Sequence, residues 1–128
     1  MLAEIWGTEN DAAYDRIQPR WYRIVLVSFI FANETEVKRR PAVILSSQTY
    51  HAGRGDVIIA AITSRTGRIL RGDHLITDWQ GAGLLFLSVA PSIIRTIKPD
   101  MVNKKLGSLS AEDASGIDYG FKLALELF

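Results

Sequence analysis

Short apolar runs separated by polar turns occupy most of the chain and predict a β-rich fold. The first clear run, residues 21–31, is nearly continuous in apolar and β-branched side chains, as expected of a buried strand. The same pattern predicts further strands over residues 41–46, 56–63, 71–77, 84–90 and 93–97. Polar or glycine-containing segments separate these runs and predict the loops between them.

Helical signals are confined to the two ends of the chain. Ser110, with Asp113 three residues later, resembles a capping box and predicts a helix over residues 111–127. Its predicted apolar stripe comprises Ile117, Phe121, Ala124, Leu125 and Phe128. A shorter helical turn is expected over residues 101–106, ended by Gly107. Residues 1–20 are only weakly patterned and are interpreted as an N-terminal extension, with one short helix predicted over residues 12–18.

Many short strands followed by one C-terminal helix indicate a mostly β fold, either a small barrel or a curled sheet capped by the helix. A length of 128 residues with 48% apolar side chains suits one domain with a substantial core. Cysteine is absent, which excludes a disulfide scaffold, a thiolate metal site and a cysteine nucleophile. With no apolar run of membrane-spanning length and no signal-peptide pattern, we expect a soluble, cytoplasmic protein without a membrane partner.

The charge distribution is more informative than the net charge of +1. Residues 38–71 contain seven basic side chains and one acid, whereas acids outnumber bases in both residues 1–20 and residues 99–128. A nearly neutral molecule with a cationic centre suits an anionic ligand held at one site.

The basic run Lys38-Arg39-Arg40 stands directly before Pro41 and is interpreted as a loop that enters the second strand. Pro41 biases Arg40 towards an extended backbone. An arginine held there can offer its planar guanidinium to a phosphate. The alternative is a solvated basic loop tip, which is what most short charge runs are.

Hydroxyl and basic residues follow the third strand, where Thr63 and Ser64 precede Arg65 and Arg68. If the second and third strands are antiparallel, Arg40 and Thr63 share one edge of the sheet. An arginine beside hydroxyl groups can hold a phosphodiester and stabilise the charge of its transition state. The two histidines are far apart and lack metal-site spacing, so neither a metal ion nor a cofactor is expected.

An ordered set of motifs resembles the MazF/PemK/Kid-type toxins of bacterial type II toxin–antitoxin systems. The set comprises residues 24–29 (IVLVSF), 38–46 (KRRPAVILS), 56–64 (DVIIAAITS), 78–79 (DW), 81–84 (GAGL), 95–97 (RTI) and 106–110 (LGSLS). For residues 21–128 the resemblance implies an SH3-like barrel with a C-terminal helix. It also implies a homodimer, metal-independent cleavage of single-stranded RNA at short sequences, and a protein antitoxin whose tail occupies the RNA groove.

The resemblance assigns the family's arginine before proline to Arg40 and its active-site threonine to Thr63. The surrounding residues Lys38, Arg39, Ser64, Arg65 and Arg68 are then expected to bind the substrate. A further family arginine on a later strand falls on Pro91 without a gap and on Arg95 with one. The alternative function is a non-catalytic interaction module of the same fold that binds antitoxin, RNA or a topoisomerase.

Overall fold

The structure of the chain, a computed structural model, describes residues 22–30 and 37–127. It confirms the predicted class, a mostly β fold with a C-terminal helix. The elements in chain order are β1 Arg23–Ile30, β2 Val37–Ile44, α1 Gln48–Arg54, β3 Val57–Ala61, β4 His74–Ile76, β5 Ser88–Ala90, β6 Ile94–Ile97, a 3-10 turn Pro99–Met101, β7 Val102–Ser108 and α2 Ala111–Leu125. No helix among these residues is long and apolar enough to cross a bilayer.

The main sheet has five strands in the order β6-β3-β2-β1-β7, and β4 pairs with β5 in a second sheet. β6 and β7 lie at opposite edges of the main sheet, yet only residues 98–101 join them. A flat sheet would separate these edges by about 19 Å, since neighbouring strands lie about 4.8 Å apart. Even a fully extended connection from Ile97 to Val102 spans only about 17 Å, and part of it is a 3-10 turn. The sheet is therefore curled, and among the described strands it stops short of a closed barrel.

Buried clusters lie on both faces of the curled sheet. In β1, Val25 belongs to the cluster inside the curl and Ile24 to the cluster outside it, and both side chains are fully buried. The inner cluster draws Ile97 and Val102 from the two opposite edges, as the curl requires. The outer cluster includes Ala114 and Ile117 of α2. Burial on both faces explains why the first strand is an almost unbroken apolar run.

The basic run lies within a strand, so its prediction as a loop is wrong. β2 begins at Val37, and Arg40 is the fourth of its eight residues, paired with Val27 of β1. β3 pairs with β2 only from Ala42 onward. Among the described strands, β2 therefore has a neighbour on one side only at Pro41, which has no N–H to donate, and such a position tolerates proline.

The predicted helical turn over residues 101–106 is also wrong, because this segment is β7 and pairs with β1. Gly107 does not end a helix. A Cβ atom there would overlap the carbonyl of Ala82, and one on Gly83 would overlap the carbonyl of Leu106. Gly83 also has a left-handed backbone, with φ of +83°. The two glycines thus allow the loop at residue 83 to pack directly against β7.

Other boundaries differ in detail. The connector after the second strand contains α1, capped by Ser47, whose side chain accepts a hydrogen bond from the Tyr50 N–H at 3.1 Å. Helix α2 is confirmed, but its buried face consists of Asp113, Ala114, Ile117 and Gly120, whereas Ala124 and Leu125 are exposed. The predictions for residues 1–20 and for Phe128 lie outside the described residues.

Asp113 joins α2 to the β4 segment. Its carboxylate is 1% exposed and accepts hydrogen bonds from the Thr77 N–H (3.0 Å), the Thr77 hydroxyl (3.1 Å) and the Asp78 N–H (2.9 Å). His74 Nε2 lies 2.8 Å from the same carboxylate. Burial alone raises the pKa of Asp113, but the hydrogen bonds from Asp78, His74 and Thr77 outweigh it and hold the pKa below its ordinary value.

We expect Asp113→Asn to destabilise the fold at neutral pH. An amide in this position presents an NH2 group to one of the N–H donors, which then lacks an acceptor. Such a buried, unsatisfied donor costs about 1–3 kcal/mol. Chemical denaturation measures the free energy of unfolding, with the exposed neighbour Glu112→Gln as the charge-matched control. Equal losses for the two variants would contradict a special role for Asp113.

The same carboxylate predicts a dependence of stability on acid. Because the folded-state pKa of Asp113 is lowered, its stabilising contribution is fully present above the ordinary aspartate pKa of about 3.9. It is lost as the pH falls through the lowered value. The difference in unfolding free energy between wild type and Asp113→Asn should therefore shrink below about pH 4. A difference that stays constant down to pH 2 would refute this contribution.

Candidate active site

A cavity of about 850 Å³ opens where β2, the segment after β3, the loop before β5, and β6 come together. Three kinds of side chain line it. The cations are Arg39, Arg40, Arg65, Arg95 and Lys104. The hydroxyl groups belong to Thr63, Ser64 and Ser88. The large apolar side chains are Leu26, Phe29, Leu84, Leu85, Phe86 and Leu106.

Strand register brings Arg40 and Thr63 to the same cavity. β2 and β3 are antiparallel, with Ala42 opposite Ala61. Arg40 stands two residues before Ala42, and Thr63 stands two residues after Ala61, so each continues its strand towards the same end of the pair. Thr63 lies beyond the end of β3 but is held by a separate bridge to Val89, with N···O distances of 3.0 and 2.8 Å.

The Thr63 hydroxyl is oriented by its own loop. The backbone N–H of Arg65 donates to Thr63 Oγ1 at 3.1 Å. A hydroxyl both accepts and donates, so this contact fixes the oxygen while the O–H can still donate to an anion in the cavity. The side chain is half-buried, which leaves it accessible to a ligand.

The cavity is strongly cationic. Among the residues that the structure describes, no Asp or Glu side chain lines it. None of its five cations forms an ion pair with another described residue. The Arg95 guanidinium lies 4.9 Å from the centroid of the buried Phe29 ring, a cation–π contact that helps to position it. The arrangement suits a ligand with several negative charges.

The structure places the predicted substrate-binding residues in two groups. Arg39, Ser64 and Arg65 line the cavity together with Arg40 and Thr63, whereas Lys38 and Arg68 do not. Of the two positions proposed for the further family arginine, Arg95 lines the cavity and Pro91 does not.

Lys104 was missed because its segment was predicted to be helical. In the structure it pairs with Leu26 across β7 and β1, which brings it to the cavity. Residues 102–106 show no alternation of apolar and polar side chains that could have revealed the strand. Among the described residues, no three His, Asp or Glu side chains are grouped as metal ligands.

Comparison with known families gives one match. The model described as "PemK-like, MazF-like toxin of type II toxin-antitoxin system" matches residues 21–125. No curated protein matches the sequence.

Several solved structures share the fold. The toxin MazF-mt6 of Mycobacterium tuberculosis is 22% identical, with a TM-score of 0.66, and the match covers 81% of this chain and 96% of that one. A chain of the form II MazE–MazF crystal structure from Deinococcus radiodurans is 18% identical, with a TM-score of 0.69 and coverage of 86% and 97%. An endoribonuclease in complex with its cognate antitoxin, from a mycobacterial species, is 18% identical, with a TM-score of 0.66 and coverage of 87% and 98%.

Proposed function

The chain belongs to the PemK-like, MazF-like toxin family of type II toxin–antitoxin systems, and from this premise we propose that it is an endoribonuclease. Its substrate is single-stranded RNA, above all messenger RNA, cut at short sequence motifs without a metal ion. The observation that carries the proposal is that Arg40, Thr63 and Arg95 line one cavity free of acidic side chains among the described residues. Because messenger RNA is in the cytoplasm, we expect the protein to act there.

The proposed reaction is an internal transesterification. The 2′-oxygen of the RNA attacks the adjacent phosphorus, the bond from phosphorus to the 5′-oxygen breaks, and the 2′-hydroxyl proton ends on that leaving oxygen. The products are a 2′,3′-cyclic phosphate and a 5′-hydroxyl end. Arg40 binds the scissile phosphate, and its fixed positive charge stabilises the additional negative charge of the transition state.

The other cavity residues support this step. The Thr63 O–H donates to a phosphate oxygen, since the Arg65 N–H already orients its oxygen. Arg95 lies in β6 and is positioned by its contact with Phe29. It serves as the further arginine that the family resemblance assigns to a later strand. Arg39, Ser64, Arg65 and Lys104 bind flanking phosphates, and the charge-assisted hydrogen bonds that they offer are about twice as strong as neutral ones.

We also propose a homodimer and a protein antitoxin as partners. The site of one subunit is a half-site, which a twofold axis extends into one channel. Two of the structurally similar proteins are known with partners, as MazE–MazF and as an endoribonuclease with its cognate antitoxin. A disordered acidic peptide suits the same cations as RNA does, so antitoxin and RNA compete for one channel.

RNA cleavage should persist in the presence of EDTA. The proposed mechanism uses the substrate's own 2′-hydroxyl and protein cations, so a chelator has no group to remove. Incubation of a long RNA with the protein and EDTA, followed by mapping of the ends, should give 5′-hydroxyl fragments. Cleavage that requires added magnesium or manganese would refute the mechanism. RNA binding without any cleavage would instead favour the non-catalytic module.

Arg40→Ala should abolish most of the cleavage and leave the fold intact. Losing one fixed donor at a transition state costs about 100- to 1,000-fold in rate. Arg40 is exposed, so its loss should change the free energy of unfolding by no more than about 0.5 kcal/mol. Arg39→Ala should cost less, because Arg39 is proposed to bind a flanking phosphate and not the scissile one, where the charge of the transition state develops.

Arg71→Ala is the matched control for this variant, because it removes the same charge from an exposed position that does not line the cavity. Single-turnover cleavage rates compare the three variants. Equal losses for Arg39→Ala and Arg40→Ala would contradict the assignment of this role to Arg40.

The antitoxin should bind Arg40→Ala more weakly than it binds wild type, and its affinity for wild type should fall as salt rises. Fluorescence anisotropy of a labelled antitoxin measures its affinity for both proteins, titration of wild-type RNA cleavage with the antitoxin measures the competition, and light scattering measures the mass of the toxin. Equal affinity for Arg40→Ala and wild type would refute competition at this arginine. A strictly monomeric toxin with full cleavage would refute the shared channel.

A further inference from the structure

The loop between residue 84 and β5 exposes three consecutive apolar side chains. Leu85, Phe86 and Leu87 have exposed fractions of 82%, 66% and 42%. The residues on either side, Leu84 and Ser88, are buried. Folding of the described chain therefore gains little from these three side chains, and their exposure needs another explanation.

Backbone and side-chain hydrogen bonds hold the loop in place. The Leu84 N–H donates to the Trp79 carbonyl at 3.0 Å, and the buried Ser88 hydroxyl donates to the Phe86 carbonyl at 2.8 Å. The next residue, Val89, forms the bridge with Thr63. Ser88 and Val89 thus connect the backbone of Phe86 to the threonine of the proposed site.

Two of the three exposed side chains face the cationic cavity. Leu85 and Phe86 line it together with Arg40, Thr63 and Arg95, whereas Leu87 does not. The cavity consequently offers a wall with an exposed aromatic ring next to a group of arginines that form no ion pair with any other residue the structure describes. Single-stranded nucleic acid matches this combination, because its phosphates are anionic and its unstacked bases present flat apolar faces.

We propose that Phe86 is a base-stacking residue, which binds the base of a nucleotide beside the scissile phosphate. The inference rests on the proposed function and adds a contact with the base to the contacts with phosphate. Charge complementarity favours this occupant over a second copy of the chain seated inside the cavity, because such a copy would place its own arginines directly against these. The proposed homodimer instead sets two such cavities next to each other along one channel and leaves both open to the strand. Leu85 extends the apolar surface on which the base rests.

Binding to two matched strands tests the role of Phe86. The probes are a 2′-O-methyl oligoribonucleotide, which cannot be cleaved, and an abasic strand of the same length and charge. Phe86→Ala should weaken binding to the base-bearing strand about ten-fold, as expected for one lost stack, and leave binding to the abasic strand unchanged. Phe86→Trp should restore the affinity, and Arg40→Ala should weaken binding to both strands.

Leu87→Ala is the matched control, since it removes an exposed apolar side chain of the same loop that does not line the cavity. It should bind both strands as wild type does. Equal losses for Phe86→Ala on the two strands, or no loss on either, would overturn the inference. A change in molecular mass of Phe86→Ala by light scattering would also overturn it, because the loop would then bind a second copy.

The outcomes separate this inference from the proposed function. A wild-type protein that neither binds nor cleaves RNA refutes the proposed function and the stacking role with it. A wild-type protein that cleaves RNA, together with a Phe86→Ala variant that binds the base-bearing strand equally well, refutes only the stacking role.

Discussion

Two hydrogen bonds between Thr63 and Val89 connect the curled sheet to the small β4–β5 sheet, and the arrangement of the cavity depends on them. Without this bridge, Thr63 would be an ordinary loop residue beyond the end of β3. With it, the threonine is fixed opposite Arg40, and the loop that carries Phe86 is fixed beside it. One pair of backbone contacts thus positions a hydroxyl and an aromatic ring relative to Arg40, which the pairing of β2 with β1 holds in place.

The other strand of the small sheet, β4, is held by a different kind of contact. His74, in β4, and Thr77, just after it, both hydrogen-bond to the buried Asp113 near the start of α2. Gly116 lies one turn further along the helix, where a Cβ atom would overlap the His74 ring. Backbone contacts therefore position the small sheet at the cavity, and a buried carboxylate positions it against the helix. Asp113, His74 and Thr77 do not line the cavity.

Much of the fold could be predicted from local patterns, and the errors have physical causes. Strands buried on both faces, such as β1, and the capped helix α2 have strong local signals. β7 has none, because its conformation is imposed by pairing with β1 and by the close approach of Gly83 and Gly107. The basic run was assigned to a loop because it is charged, although β2 has a neighbour on one side only at that point and tolerates both charge and proline.

The same distinction applies to the site. The proximity of Arg40 and Thr63 could be predicted because both stand near the facing ends of two recognisable strands. The sequence leaves Arg95 and Pro91 as alternatives, and the curl of the sheet brings Arg95 of β6 to the cavity. The position of Lys104 at the cavity could not be predicted without β7. Phe86 has no sequence signature that separates an exposed aromatic residue from a core one. Its exposed fraction and its place on the cavity wall, which only the structure gives, identify Phe86 as an exposed aromatic residue.

Among the described strands, only β1 pairs with the first half of β2, and this open edge has a consequence for aggregation. Open strand edges invite pairing with other chains, and proteins protect them with basic side chains and proline. Residues 38–41 supply both at the edge where β3 no longer pairs. The cations that suit RNA therefore also keep this edge from joining another sheet. Neutralising several of them would expose the protein to edge-to-edge self-association, so a multiply substituted, inactive variant should be less soluble than any single one.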